Sequence, residues 1–288
     1  MKVGIGLPST IPEAPSAHIM TWAREAERHA FSSLAVLDRL VYPNVEPLIA
    51  LAVAAAVTDK IELATTILIG PYRANAALLA KQLASIDYLS GGRLTLGIAV
   101  GTREDDYQAS HVDYASRGRQ LDTLLDELDL IWGPPSPSEP LSRIGPKPPR
   151  GRPPILFGGT GPAAYRRAAT RGDGWIMGGG DAATFEHNNR ALTAAWDASG
   201  RSQPPRTAAL AYFALGPHGP ALAAAYLNDY YEFLGPDMAG TIARSAVTTP
   251  DAARQRAREF TDAGCGELVF IPCHHDPAHV QALADALA

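Results

Sequence analysis

Little of this chain is reserved for special chemistry. Of its 288 residues two are cysteine and four methionine, and aromatic residues make up 7%. Two cysteines are too few for the disulfide framework on which small secreted domains depend. Cys265 and Cys273 also bracket an extended run, which separates their Cα atoms by roughly 26 Å, beyond disulfide reach. Both read as free thiols of a reducing compartment. Positive charge is in short supply: 25 Lys and Arg against 30 Asp and Glu leave a net charge of −5. The arginines are scattered, so no basic stripe for nucleic acid is present. Long hydrophobic runs are missing as well. The longest, Pro47–Val57, falls well short of the roughly 20 residues a membrane span needs. The apolar stretch before Pro8 is too short for a signal-peptide core. These absences predict a soluble, cytoplasmic protein with a small-molecule partner, and no nucleic acid or membrane. What is present is apolar bulk, 46% of the residues, enough for a large core.

Strand-like runs alternate with amphipathic helical patterns along the whole chain. Lys2–Pro8 precedes a helix over Ser16–Ala30, where Ile19, Trp22, Ala23 and Ala26 recur at helical spacing. Ser33–Asp38 leads to Val45–Thr58, Ile61–Gly70 to Ala76–Leu89, and Leu94–Val100 to Arg117–Trp132. Then follow "PILFGG" with Ala163–Arg171, "GWIMGG" with Ala182–Ala198, "TAALAYFALG" with a long helical tail, and "ELVFIP" with Val280–Leu287. Continuously apolar strand runs indicate burial on both faces, as in parallel sheets. Eight such units predict a single-domain α/β protein over residues 1–288, a (β/α)₈ TIM barrel. The rival architecture is a doubly wound sheet. The Pro-rich connector Gly133–Pro154 reads as an ordered crossing loop. The stretch Gly216–Thr249 is an insertion after strand seven on the C-terminal rim, where barrel active sites sit. It is either a lid over a substrate or a helix packing on the barrel or a second subunit, with Tyr226, Tyr230 and Phe233 on one helical face.

The segment "ILFGGTGPAAYRR" from Ile155 carries the most chemistry. Gly159-x-Gly161-x-x-Ala164 matches the relaxed dinucleotide fingerprint, and Asp181 after the next strand stands where a ribose-binding carboxylate is wanted. The motif lies on the fifth strand, however, with Pro162 opening the helix. An anion site at a helix N-terminus fits a barrel equally well, and a plain tight turn is the alternative. In a barrel the strand ends meet at one mouth. Seven of them supply Pro8 and Ser9, Asp38 and Arg39, Thr66 and Ile67, Gly101 and Thr102, Gly159 to Gly161, Gly178 to Gly180, and Cys273 to His275. Glycines there let a flat ligand lie against backbone. No nucleophile triad and no convincing metal set is among them. His274-His275-Asp276…His279 looks like a metal cluster, but Asp276 before Pro277 fits a helix start better. Glu104-Asp105-Asp106 is either a functional carboxylate group or a solvated helix cap.

Taken together, "AVLDRL", the block Ile61–Gly101, the following "REDDY" and Pro153–Ile176 resemble the bacterial-luciferase-like superfamily of flavin- and deazaflavin-dependent oxidoreductases. The resemblance implies a barrel that holds the cofactor ring over the ends of strands two to four, with a non-proline cis peptide at Thr66–Ile67. It assigns ring contacts to Gly101, Thr102, Asp106, Gly178 and Gly179, and the cofactor phosphate to Gly159, Thr160 and Gly161. Many relatives carry Asp-His or Glu-His after strand two, where this chain has Asp38-Arg39. Arginine stays protonated, so it cannot be a general base. It either stabilises negative charge on a reduced ring, binds an acidic substrate, or serves as scaffold paired with Asp38 or Asp106. Asp38, Arg39 and Asp105 are the catalytic candidates, with the proton handled by Asp38 or by a water on Asp105 and Asp106. Ser9, Tyr226 and Tyr230 are the substrate-side candidates. The expected activity is hydride transfer with coenzyme F420 in a homodimer. Alternatives are an FMN-dependent monooxygenase, a non-catalytic flavin-binding or partner subunit, and a Rossmann dehydrogenase using NAD or NADP.

Overall fold

The computed structural model describes residues 1–288, and its eight parallel strands close into a barrel in sequence order. The elements are β1 (Lys2–Gly6), α1 (Ser16–Arg28), β2 (Ser33–Val36), α2 (Pro47–Ala56), β3 (Glu62–Ile69), α3 (Ala76–Leu89), β4 (Leu94–Ala99), α4 (Glu104–Ala109) and α5 (Arg117–Trp132). They continue with β5 (Ile155–Gly158), α6 (Pro162–Arg171), β6 (Gly174–Met177), α7 (Ala182–Ala198), β7 (Arg206–Phe213), α8 (Gly219–Tyr230), α9 (Pro236–Arg244), α10 (Pro250–Asp262), β8 (Glu267–Pro272) and α11 (Ala278–Leu287). This is the (β/α)₈ barrel that the strand–helix rhythm predicts, and the doubly wound sheet is excluded. No helix is long and apolar enough to cross a membrane.

Helix starts follow from local chemistry. Glu46, Asn75, Asp181 and Thr249 each accept a hydrogen bond from a first-turn N–H of α2, α3, α7 and α10, satisfying donors that a helix leaves unpaired. Asp181 is thus a helix cap, since Thr184 N donates to it at 2.8 Å, and the ribose-binding role considered for it falls with the Rossmann architecture. Asp276 accepts from Ala278 N at 2.9 Å, again at a helix start.

Two apolar layers hold the barrel. The outer one packs Trp22, Leu51, Leu83, Leu128, Trp196 and Phe260 from the helices against outward-facing strand residues such as Leu34, Leu63 and Phe270. The inner layer is built on Ala35, Ala64, Leu156, Leu210 and Ile271, and Tyr212, Tyr226 and Tyr230 belong to it. In this layer the small residues Ala35 and Ala64 of β2 and β3 pack in the same cluster as the tyrosines of β7 and α8.

Three elements depart from the sequence reading. The three acidic residues after β4 form the first turn of the short helix α4, where negative charge is favoured by the helix dipole. The segment after β7 is α8, a 3-10 turn over Glu232–Leu234, and α9. Helix α8 ends at Tyr230 and Phe233 lies in the 3-10 turn beyond it, so Phe233 does not share the buried face of Tyr226 and Tyr230 and is 43% exposed. Strand β2 ends at Val36, which places Asp38 and Arg39 in the loop beyond it.

Candidate active site

The pairing of β3 with β4 slips between Thr65 and Leu68, and the sequence shows why this happens here. Residue 97 on β4 is glycine, and a Cβ at that position would lie 2.1 Å from the Thr65 carbonyl oxygen. Thr65 Oγ1 donates to Gly97 O at 2.7 Å, which fastens the bulge. Beyond it the Thr66–Ile67 peptide is cis. Ile67 packs across the barrel to β5, where a Cβ at Gly158 would sit 2.4 Å from Ile67 Cδ1. Glycine at 97 and 158 therefore lets the end of β3 swing inward and form a floor.

Over that floor lies a cavity of about 200 Å³, walled by Leu37, Asp38, Thr66, Ile67, Ile69, Gly101, Thr102, Arg103, Asp106, Gly178, Leu210, Tyr212, Tyr230 and Tyr231. A larger polar cleft of about 580 Å³ lies between the β3–α3 loop and α5. It shares no wall residue with the mouth cavity, where the strand ends converge, so the smaller space is the candidate site.

The carboxylates of the site are engaged by protein. Asp38 Oδ1 accepts from Arg73 Nη2 at 3.0 Å and Oδ2 from Ile69 N at 2.8 Å. Its side chain is 1% exposed, and burial pushes its carboxyl up from the ordinary range, with the Arg73 charge pulling it back. Asp106, also buried, accepts from the amides of Leu40 and Val41 at 3.1 and 2.7 Å. It fixes the β2–α2 loop. Asp105 Oδ2 accepts from Arg39 Nη2 at 2.9 Å, so the partner of Arg39 is Asp105, and neither Asp38 nor Asp106.

Aromatic residues complete the mouth. The hydroxyls of Tyr212 and Tyr231 are 2.7 Å apart, and burial raises both above the usual phenol range, Tyr212 well above it. Arg103 lies over the Phe233 ring at 3.7 Å and the Tyr230 ring at 4.9 Å. A second space of about 400 Å³, lined by Arg39, Tyr42, Pro43, Arg103, Asp105 and Phe233 among others, opens outside it. Ser9 and Tyr226 are not on the cavity wall. Tyr226 is spent on a 2.7 Å hydrogen bond with Thr10, and Ser9 Oγ is buried without a partner.

The turn after β5 stands outside the cavity. Gly159 (φ 110°), Thr160 and Gly161 reach the N-terminus of α6, which no side chain caps. Trp175 Nε1 donates to Gly159 O at 2.7 Å and anchors the turn. A Cβ at Gly161 or at Gly179 would meet nothing within 4 Å. The amides of Ala164 and Tyr165 donate to Gly161 O and Pro162 has no N–H, so the glycines leave an open ledge in front of the Ala163 amide, the first-turn donor of α6 without a backbone partner, a place suited to an anion.

Comparison with known proteins follows the same lines. The family model described as luciferase-like monooxygenase matches residues 1–276. The chain belongs to this family. Among curated relatives, an uncharacterised protein of Mycobacterium tuberculosis (strain H37Rv) is 28% identical over 199 residues, 55% of this chain. The chain spans 64% of the length of that relative. Among solved structures, an F420-dependent secondary alcohol dehydrogenase in complex with an F420-acetone adduct superposes with a TM-score of 0.83 at 16% identity, covering 100% of both chains. The oxygenating constituent of 3,6-diketocamphane monooxygenase from Pseudomonas putida, in complex with FMN, gives 0.79 at 18% identity, covering 99% of this chain and 96% of that one. At these identities the two structures establish the luciferase-like fold alone.

Of the positions singled out in the sequence, Asp38, Thr66, Ile67, Gly101, Thr102, Asp106, Gly178 and Tyr230 meet on one cavity. Arg39 and Asp105 border the adjoining outer space. Gly159, Thr160, Gly161 and Gly179 wall neither. Arg103, Leu210, Tyr212 and Tyr231 were missed. Arg103 was one residue beyond the strand-end pair Gly101-Thr102 and was within reach of the same reasoning.

Proposed function

We propose that this luciferase-like chain is an oxidoreductase working with a reduced flavin-type cofactor, with F420 and hydride transfer to or from a small organic substrate as the preferred chemistry. The observation that carries the reading is the convergence of six strand-end residues, Asp38, Thr66, Ile67, Gly101, Thr102 and Gly178, with Asp106 and Tyr230 on one cavity over the bulged end of β3. Thr66, Ile67, Gly101, Thr102 and Gly178 would bear the ring, and the Gly159-Thr160-Gly161 ledge would hold the phosphate. The open space at Gly161 and Gly179 and the uncapped α6 are what fit such a group. When bound, the reduced deazaflavin supplies the hydride.

The chain's own residues supply position, dryness and the proton. Asp38 has both oxygens engaged, so we assign it to positioning: with Arg73 it holds the Ile69 amide and hence the floor. Asp106 does the same for the β2–α2 loop. The Tyr212–Tyr231 hydroxyl pair on the wall stays protonated across the working pH range and can donate to an oxygen or nitrogen that gains charge. Tyr230 and Arg103 close the mouth against water. The F420-dependent alcohol dehydrogenase named above supports this reading by analogy. A second reading, FMN with oxygen as co-substrate, is favoured by the family's monooxygenase description. The proposed unit is one domain acting as a homodimer.

The test is anaerobic mixing of the protein with reduced F420 and a panel of ketones, imines and enones, following the return of oxidised-cofactor absorbance. Turnover that requires the protein supports hydride transfer. Turnover only with reduced FMN and oxygen replaces it with the second reading.

A further inference from the structure

Arg103 is the one guanidinium on the wall of the mouth cavity, and it has no ion-pair partner. Its Nη2 donates to the Tyr230 carbonyl oxygen at 2.7 Å, while its Nη1 is buried with no partner. The nearby carboxylates are committed elsewhere: Asp105 to Arg39, Asp106 to two backbone amides, and Asp229 to the Tyr42 hydroxyl. Glu232 is exposed on the rim and lies outside ion-pair distance. Arg39, 8% exposed with its Nε unpartnered, also lies near the Tyr230 ring, its Cζ 5.7 Å from the centroid. The Phe233, Tyr230 and Tyr231 rings pin the Arg103 plane at 3.7, 4.9 and 5.9 Å. Burial disfavours the Arg103 cation and lowers its pKa, Tyr230 opposing it and the Arg39 charge adding to it. The arrangement is a ring-packed, half-buried guanidinium with one donor, Nη1, lacking an acceptor, and it stands between the mouth cavity and the outer space.

We propose that Arg103 selects substrates carrying a carboxylate, so that this enzyme acts on a small organic acid entering through the outer space between Tyr42 and Phe233. Arginine suits this task because its planar fork matches a carboxylate bidentately. The proposal rests on reading the mouth cavity as the reaction site, and it deepens that reading by naming the substrate class.

The test uses calorimetry on the cofactor-free chain with acetate, benzoate and cinnamate, each set against its primary amide, for wild type, Arg103→Gln and Arg103→Lys. Binding of reduced F420 and of FMN is titrated separately. The expected result is at least one carboxylate bound tenfold or more tightly than its amide. That preference should weaken in high salt, vanish in Arg103→Gln and survive in part in Arg103→Lys, with cofactor dissociation constants within about twofold of wild type. Equal affinity for acids and amides overturns the proposal, as does a preference that survives in Arg103→Gln. So does loss of cofactor binding with the acid preference intact, which would give Arg103 to the ring. If Arg103→Gln does not fold, the wild-type comparison and Arg103→Lys still decide. Should wild type bind neither cofactor, the reading of the mouth as a flavin site fails, and the acid preference is judged independently.

Discussion

Replacing Gly161 by valine separates cofactor binding from folding better than any other single change in the phosphate ledge. Gly161 has φ −136° and ψ 165°, an extended conformation open to any residue, and a Cβ there meets nothing within 4 Å. Pro162 follows it and itself favours an extended residue at 161. The stability loss should stay below about 1 kcal/mol, the part due to a poorer N-cap. Gly159 is a worse choice: at φ 110°, with Ala164 Cβ 3.2 Å from a built Cβ, it would strain whether or not a phosphate binds. Valine at 161 would project into the space in front of the free Ala163 amide at the start of α6. Hydrogen bonds to a charged group contribute about 1.5–3 kcal/mol, so their loss should weaken binding roughly 10- to 100-fold. The assay is a fluorescence titration of wild type and Gly161→Val with FMN and with riboflavin, which lacks the phosphate, alongside melting curves. FMN affinity should fall while riboflavin affinity stays level. Equal effects on both, or none on either, would refute the placement of the phosphate on this turn.

Gly97→Ala should destabilise the chain by about 1–3 kcal/mol, because its Cβ would meet the Thr65 carbonyl 2.1 Å away and backbone must move; urea unfolding measures this, and an unchanged midpoint would contradict the account of the bulge. Glu27 accepts from the amides of Asp59, Lys60 and Ile61; burial opposes its charge, but these bonds outweigh it and lower its pKa. A lowered folded pKa adds stability above the usual carboxylate value that disappears as pH falls through the folded one. Glu27→Gln should therefore cost about 1 kcal/mol at pH 7, with the difference from wild type shrinking as the pH is taken below the usual carboxylate range, read from denaturation across that range. Both thiols are buried, with Cys265 pushed up to about 12 by burial, so their modification by iodoacetamide should follow global opening and accelerate with denaturant; rapid labelling of the native chain would count against the core packing.

The barrel was legible because its signals are local and repeated. Apolar runs without alternation marked strands covered on both faces, and the turn residues between them marked each helix start. Asp38, Thr66, Ile67, Gly101, Thr102 and Gly178 on the cavity wall followed from the same rule, since a closed parallel barrel brings every strand end to one mouth. What could not be read was long-range. The run Thr207–Leu215 has no inside and outside face in its sequence, so Tyr212 and Leu210 gave no sign of pointing inward. The partners of Asp38 and Arg39 are Arg73 and Asp105, residues 35 and 66 positions away in sequence, and no periodicity selects them. Tyr226 looked like a mouth residue because its helix follows a strand end, yet its hydroxyl is spent on Thr10. Gly97 read only as a strand residue and Gly158 as the start of the turn after β5, because the reason for each glycine lies in a contact with β3, Thr65 O for Gly97 and Ile67 for Gly158.

The account turns on the mouth cavity as the seat of a flavin-type ring. The direct measurement is anaerobic titration of the purified chain with reduced F420 and separately with reduced FMN, followed by cofactor fluorescence, in wild type and in Gly178→Leu, which would fill the cavity from the β6 side. The account predicts saturable 1:1 binding of F420 in preference to FMN, lost in Gly178→Leu. Binding of neither cofactor, or binding untouched by filling the cavity, would contradict it.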